Sequence, residues 1–127
     1  MKTVAFITTR RVLAQSLANV IQTRPELGLE AQLLLNMEQA PLDAEVLKVD
    51  VAVIDQIDST AERMVAALKL CAQIRVCVPD CRLILLLPQE DAIGRDMAME
   101  AKRGGSIDDF VFQDTSVEYL LAKLVAS

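Results

Sequence analysis

Val51-Ala52-Val53-Ile54-Asp55 is the stretch whose reading decides the fold. Four apolar residues, two of them valine and one isoleucine, run straight into one acid. A short unbroken apolar run of this composition predicts a strand buried on both faces, which is the habit of parallel sheets. The acid then falls at the carboxyl edge of the sheet, where open α/β folds place their ligands. Asp55 is therefore the first candidate for a reactive group.

Working outward, the same kind of run recurs. Thr3 to Ile7 predicts a first strand, and Arg82 to Leu87 another, stopped by Pro88. Leu29, Ala31, Leu33 and Leu35 alternate with more polar positions, a period of two that suits an edge strand with one wetter face. Ile107 to Phe112 supplies the last strand.

Helical patterns fill the gaps. After Thr8 and Thr9, either of which can cap, Leu13, Leu17 and Ile21 recur every four residues with Val12 and Val20 beside them. Pro25 ends that helix and Gly28 allows the turn. Pro41 to Lys48 predicts a short helix with Leu42, Val46 and Leu47 inward. Ser59 with Glu62 makes a capping box for a helix starting near Thr60. Its stripe is Met64, Leu68, Cys71 and Ile74, and Pro79-Asp80 breaks it. Asp91 can cap a fourth helix with Ile93, Met97 and Ala101 inward and Gly104-Gly105 as its stop. Thr115 with Glu118 is a second capping box, before Val117, Leu120, Leu121 and Leu124. Five strands alternating with five helices imply parallel strands joined by right-handed crossovers, in one domain spanning 1–127. That domain is either complete or cut from a longer regulator.

Composition narrows the function classes. The chain is 53% hydrophobic and 3% aromatic, which implies an aliphatic core. Its formal net charge of −5 argues against nucleic-acid binding by this domain, since phosphates need a basic face. No apolar stretch approaches the roughly 20 residues that span a bilayer, and the chain enters a strand at once, so no membrane role is expected and cytoplasm is the expected location. Cys71, Cys77 and Cys81 are odd in number and histidine is absent, so buried reduced thiols are a better reading than a disulfide framework or a zinc site.

At the level of length, βα order and an acid ending the third strand, the whole chain resembles the response-regulator receiver domain, the CheY-like family. The resemblance implies a flavodoxin-like (βα)5 doubly wound parallel sheet in strand order 2-1-3-4-5. It implies Asp55 as the phosphoacceptor position, with a histidine kinase as donor. The family's acidic pair for magnesium would fall at Thr8 and Thr9, its hydroxyl at Leu87, its lysine at Gln113 and its aromatic switch near Phe110. Only Asp55 keeps the family's chemistry. Magnesium needs carboxylates beside the phosphoryl oxygens, and phosphoryl transfer is mostly positioning and charge neutralisation.

The expectation is therefore a degenerate, pseudo-receiver domain without a cofactor: a protein-interaction module in two-component-type signalling, not an enzyme. Its partners would be a kinase or effector domain. A homodimer is expected through the fourth helix, fifth strand and fifth helix, where Met97, Met99, Phe110, Phe112 and Tyr119 fall. Arg10 and Arg11 are candidate partners for Asp55. Glu90, Asp91 and Asp114 could rebuild a metal site but suit helix starts better, and Asp58, Asp108 and Asp109 are simplest as loop charges. One alternative is a phosphorylatable receiver using Asp55. Another is a small flavodoxin-like enzyme or nucleotide binder, which the Thr8-Thr9-Arg10-Arg11 stretch disfavours because no glycine-rich phosphate loop stands there.

Overall fold

The computed structural model describes residues 1–56, 60–88 and 92–127. Asp58, Ser59, Glu90 and Asp91, with the roles considered for them above, lie outside the described residues. The strands are β1 (Lys2–Ile7), β2 (Leu29–Leu34), β3 (Val51–Asp55), β4 (Arg82–Leu87) and β5 (Asp109–Phe112). They pair in parallel in the order β2-β1-β3-β4-β5. The helices are α1 (Arg11–Gln22), α2 (Ala40–Leu47), α3 (Ala61–Cys77), α4 (Ala92–Arg103) and α5 (Val117–Ala126). The chain thus has the flavodoxin-like α/β fold.

Side-chain alternation splits the core into two layers. Ala5, Ile7, Ala52, Ile54, Leu83 and Leu85 face α2, α3 and α4. Val4, Phe6, Val51, Val53, Ile84 and Leu86 face α1 and α5. All five residues of β3 are buried, as are all of β4 after Arg82, so the expected continuous apolar runs do occupy the sheet centre. Among the described residues, no helix is long and apolar enough to cross a membrane.

Several helix faces depart from the expected ones. In α2 the small residues Ala40, Pro41 and Ala44 face inward, because α2 packs closely against α3. Leu42, Val46 and Leu47 are left on the surface. Val12, Ile93 and Val117 are likewise exposed, while Ala14, Gly94 and Ala98 take buried positions and Leu120, Leu121 and Leu124 are buried as expected. Leu34, which alternates with Leu33 and Leu35 and so falls on the expected wetter face of β2, is buried against the layer that α2 and α3 cover. The caps move by one residue. Thr60 accepts from the Arg63 N–H at 3.4 Å, and Ser116, not Thr115, accepts from the Tyr119 N–H at 3.2 Å. Thr115 instead closes the preceding turn onto the Phe112 carbonyl.

Cys71 and Cys81 are buried, and burial pushes their thiols up to about 12 and about 11, respectively. Asp108 and Asp109 are more than loop charges. Asp109 accepts from Lys102 at 3.2 Å and Lys123 at 2.6 Å. Asp108 accepts from the Leu83 N–H at 2.8 Å and from Arg75 and Arg82, tying α3 and β4 to the start of β5.

Partial burial alone would raise the Asp108 carboxyl. The Leu83 N–H and the two guanidinium groups outweigh it and hold the carboxyl below its ordinary value. A depressed folded pKa stabilises above the unfolded value and loses that contribution as pH falls through the folded one. Asp108→Ala should therefore cost about 1–2 kcal/mol at neutral pH, through the lost ion pairs with Arg75 and Arg82 as well as the orphaned Leu83 N–H. Urea unfolding should show the gap between variant and parent shrinking below about pH 4. A gap that stays constant into acid would contradict this role.

Candidate functional site

Thr8, Asp55 and Gln56 are the buried polar residues among those described, and all three lie at the carboxyl edge of the sheet. Parallel pairing brings them together. Ile54 is in register with Ile7 and Asp55 with Leu86, so the residues just beyond β1, β3 and β4 meet at one edge. The Gln56 N–H donates to the Leu86 carbonyl at 2.8 Å, and the Gln113 N–H to the Leu87 carbonyl at 2.7 Å, carrying the alignment across to the end of β5.

The Asp55 side chain is 3% exposed, and both its oxygens are taken. Oδ2 accepts from the Thr8 hydroxyl at 2.6 Å and from Arg10 Nε at 2.7 Å. Oδ1 accepts from Arg10 Nη2 and from the Gln113 amide at 2.9 Å. Arg10 thus grips the carboxylate with two nitrogens, a fork geometry that lysine cannot offer. The hydrogen bond to Asp55 holds the Arg10 guanidinium above its usual pKa, against the partial burial that would lower it. The Gln113 amide also donates to the Gln56 carbonyl at 3.1 Å, joining the end of β5 to the backbone after Asp55. Thr8 turns the chain into α1 as well: its hydroxyl oxygen accepts from the Arg10 N–H at 2.9 Å. That bond sets Arg10 as the residue before the helix, from where its side chain reaches back over the sheet edge.

Of the residues named from the sequence, the structure brings Thr8, Arg10, Asp55 and Gln113 into contact. Thr9 is exposed above the site, and Arg11 points to solvent and makes no ion pair among the described residues. Leu87 is buried in the α2–α4 layer. Phe110 is half-buried, edge-on to Phe112 with ring centroids 6.0 Å apart. Asp114 is exposed in the turn after β5. The sequence placed Gln113 at the site, where the resembled family has its lysine, but offered only Thr8, Thr9 and the arginines as donors to Asp55. The signal for Gln113 as a donor lay in the topology, since every strand end of a parallel sheet opens on the same edge.

Magnesium fits this donor set poorly. It asks for one or two carboxylates with room for its waters. Here the one buried carboxylate has its oxygens occupied by a guanidinium, a hydroxyl and an amide, and Thr8 and Thr9 contribute no charge. No group of three or more metal-ligating acids or thiols is found among the described residues. A groove of about 400 Å³ opens beside the site, floored by Met37, Ala67 and Leu70 with Lys69 and Glu38 at its rim.

No family model matches the chain, and no curated protein matches it by sequence. Solved structures do match in fold. One is a response regulator from Burkholderia pseudomallei with a phosphorylated aspartic acid, calcium ion and citrate. It is 25% identical at a TM-score of 0.74, with 98% of this chain and 66% of that one covered. The chain therefore spans about two thirds of that neighbour's length. A CheY-like receiver domain protein from Methanospirillum hungatei JF-1 matches at 13% identity and a TM-score of 0.74, covering 98% of this chain and 90% of that one. A protein described as an adenylate cyclase, from Rhodopirellula baltica, matches at 16% identity and a TM-score of 0.77 over 98% of this chain and 85% of that one.

Proposed function

We propose that this chain, by fold a response-regulator receiver domain, serves two-component-type signalling in the cytoplasm as a non-enzymatic interaction module whose Asp55 is not a working phosphoacceptor. The observation that carries this reading is the Arg10 fork on Asp55. The guanidinium supplies the positive charge that a metal ion would otherwise bring, and it does so in the resting chain. The nucleophilic oxygens are consequently hydrogen-bonded before any phosphodonor arrives, and no hydroxyl or ammonium group at Leu87 or Gln113 waits for a phosphoryl group.

A domain of this kind acts by what it touches. The α4–β5–α5 face carries half-buried Phe110 and Phe112 and exposed Met99 and Tyr119, over a cavity of about 630 Å³. Exposed apolar groups beside a charged rim suit a protein partner such as an effector or kinase domain. The alternative, phosphorylation at Asp55, requires Arg10 to withdraw first.

Magnesium titration monitored by amide NMR tests the reading. Through a titration carried to a large excess of magnesium over protein, the amides of Thr8, Asp55 and Gln113 should stay in place. Saturable shifts at those three residues would contradict it.

A further inference from the structure

We infer that the outward faces of α2 and α3 form a two-fold interface with a second copy of this chain. Leu42 and Val46 lie one turn apart on the outer side of α2, 55% and 79% exposed. On α3, Val65, Lys69, Ala72 and Val76 recur at the i, i+4, i+7, i+11 spacing of one helix face, and all four are exposed. Valine is a weaker helix former than alanine or leucine, so Val46, Val65 and Val76 do not serve the helices that carry them. Single exposed apolar residues are ordinary, but two neighbouring helices presenting them on one side make a patch.

Charge names the occupant. The α2 helix carries Asp43 and Glu45 and no base, whereas α3 carries Lys69 on its exposed face, with Glu62 at its start and Arg75 held by Asp108. Asp43, Glu45 and Lys69 make no ion pair among the described residues. A patch that is acidic on one helix and basic on the next complements its own copy turned through 180°. The α2 of each copy then meets the α3 of the other, and Lys69 faces Asp43 and Glu45 twice. The α4–β5–α5 face lacks this feature, since Lys102 and Lys123 are both bound to Asp109 and Arg103 to Glu100 within the chain. Self-association thus falls to α2–α3 and leaves the other face open for a different protein.

Sedimentation of the full chain over a wide concentration range is the test, with circular dichroism to confirm that each variant folds. The parent should show a concentration-dependent dimer. Val46→Glu and Val76→Glu, both at exposed positions, should leave it monomeric. Lys69→Glu should weaken the dimer about tenfold, and adding Asp43→Lys and Glu45→Lys to it should restore most of that loss. Tyr119→Ala should leave the dimer unchanged. A parent that stays monomeric at millimolar concentration would overturn the interface, as would a dimer lost in Tyr119→Ala but kept in Val46→Glu and Val76→Glu. Neither result bears on Asp55, whose reading stands or falls on its own.

Discussion

Arg10→Ala should destabilise the chain by about 2–3 kcal/mol, and Asp55→Asn by about 1 kcal/mol or less. The asymmetry follows from burial. The Asp55 side chain is 3% exposed and that of Arg10 38%. Removing Arg10 leaves a desolvated carboxylate with only the Thr8 hydroxyl and the Gln113 amide. Breaking a fully buried pair in this way costs about 3–5 kcal/mol, and the half-exposed guanidinium brings that down. Removing the charge of Asp55 leaves a guanidinium that can turn to water and an asparagine that still offers one acceptor. Urea unfolding of both variants measures the difference, provided the transitions are two-state with unchanged slopes. Equal costs, or a larger cost for Asp55→Asn, would mean that water, and not Arg10, satisfies the carboxylate.

The sheet was legible because its signals are local. Val51–Asp55 and Arg82–Leu87 are short, apolar and bounded by polar or breaking residues, and a strand buried on both faces has no other composition open to it. The helix faces were less legible because hydrophobicity is a poor sign of burial where helices approach closely. In α2 the contact with α3 is close, so alanine and proline go inside and Leu42 and Val46 stay out. The same preference for small residues places Gly94 and Ala98 inside α4 and leaves Ile93 in solvent.

At the site, Asp55 could be picked out from its position at a strand end, and Arg10 from its charge just past Thr8 and Thr9. Which of two adjacent arginines reaches the carboxylate is a matter of where α1 begins. That depends on the Thr8 hydroxyl accepting from the Arg10 N–H, a contact with no signature beyond a threonine. Gln113 could be placed at the site by its position after the last strand, but its bond to Asp55 was hidden, because it depends on the amide lying across the edge from the carboxylate.

Exposure to small phosphodonors should leave the chain unmodified, the largest departure expected from an ordinary receiver domain. An acyl phosphate forms when a carboxylate oxygen attacks phosphorus in line with the departing oxygen of the donor, acetate in the case of acetyl phosphate, as charge spreads over three equatorial oxygens. Nearly all of the rate comes from cations and donors placed to meet that charge. Here the attacking oxygens are already bound by Arg10, Thr8 and Gln113. Thr8 and Thr9 bring no carboxylate for a metal ion, Leu87 brings no hydroxyl, and Gln113 is neutral. Single donors of this kind are worth about 10²–10³ in rate, so losing several together should suppress the reaction beyond detection. The most direct test is intact mass after incubation with acetyl phosphate and magnesium, with Asp55→Ala in parallel. The expected spectrum shows the unmodified chain alone in both samples. A stoichiometric phosphoryl adduct on the parent that disappears in Asp55→Ala would contradict the account and make Asp55 a working phosphoacceptor.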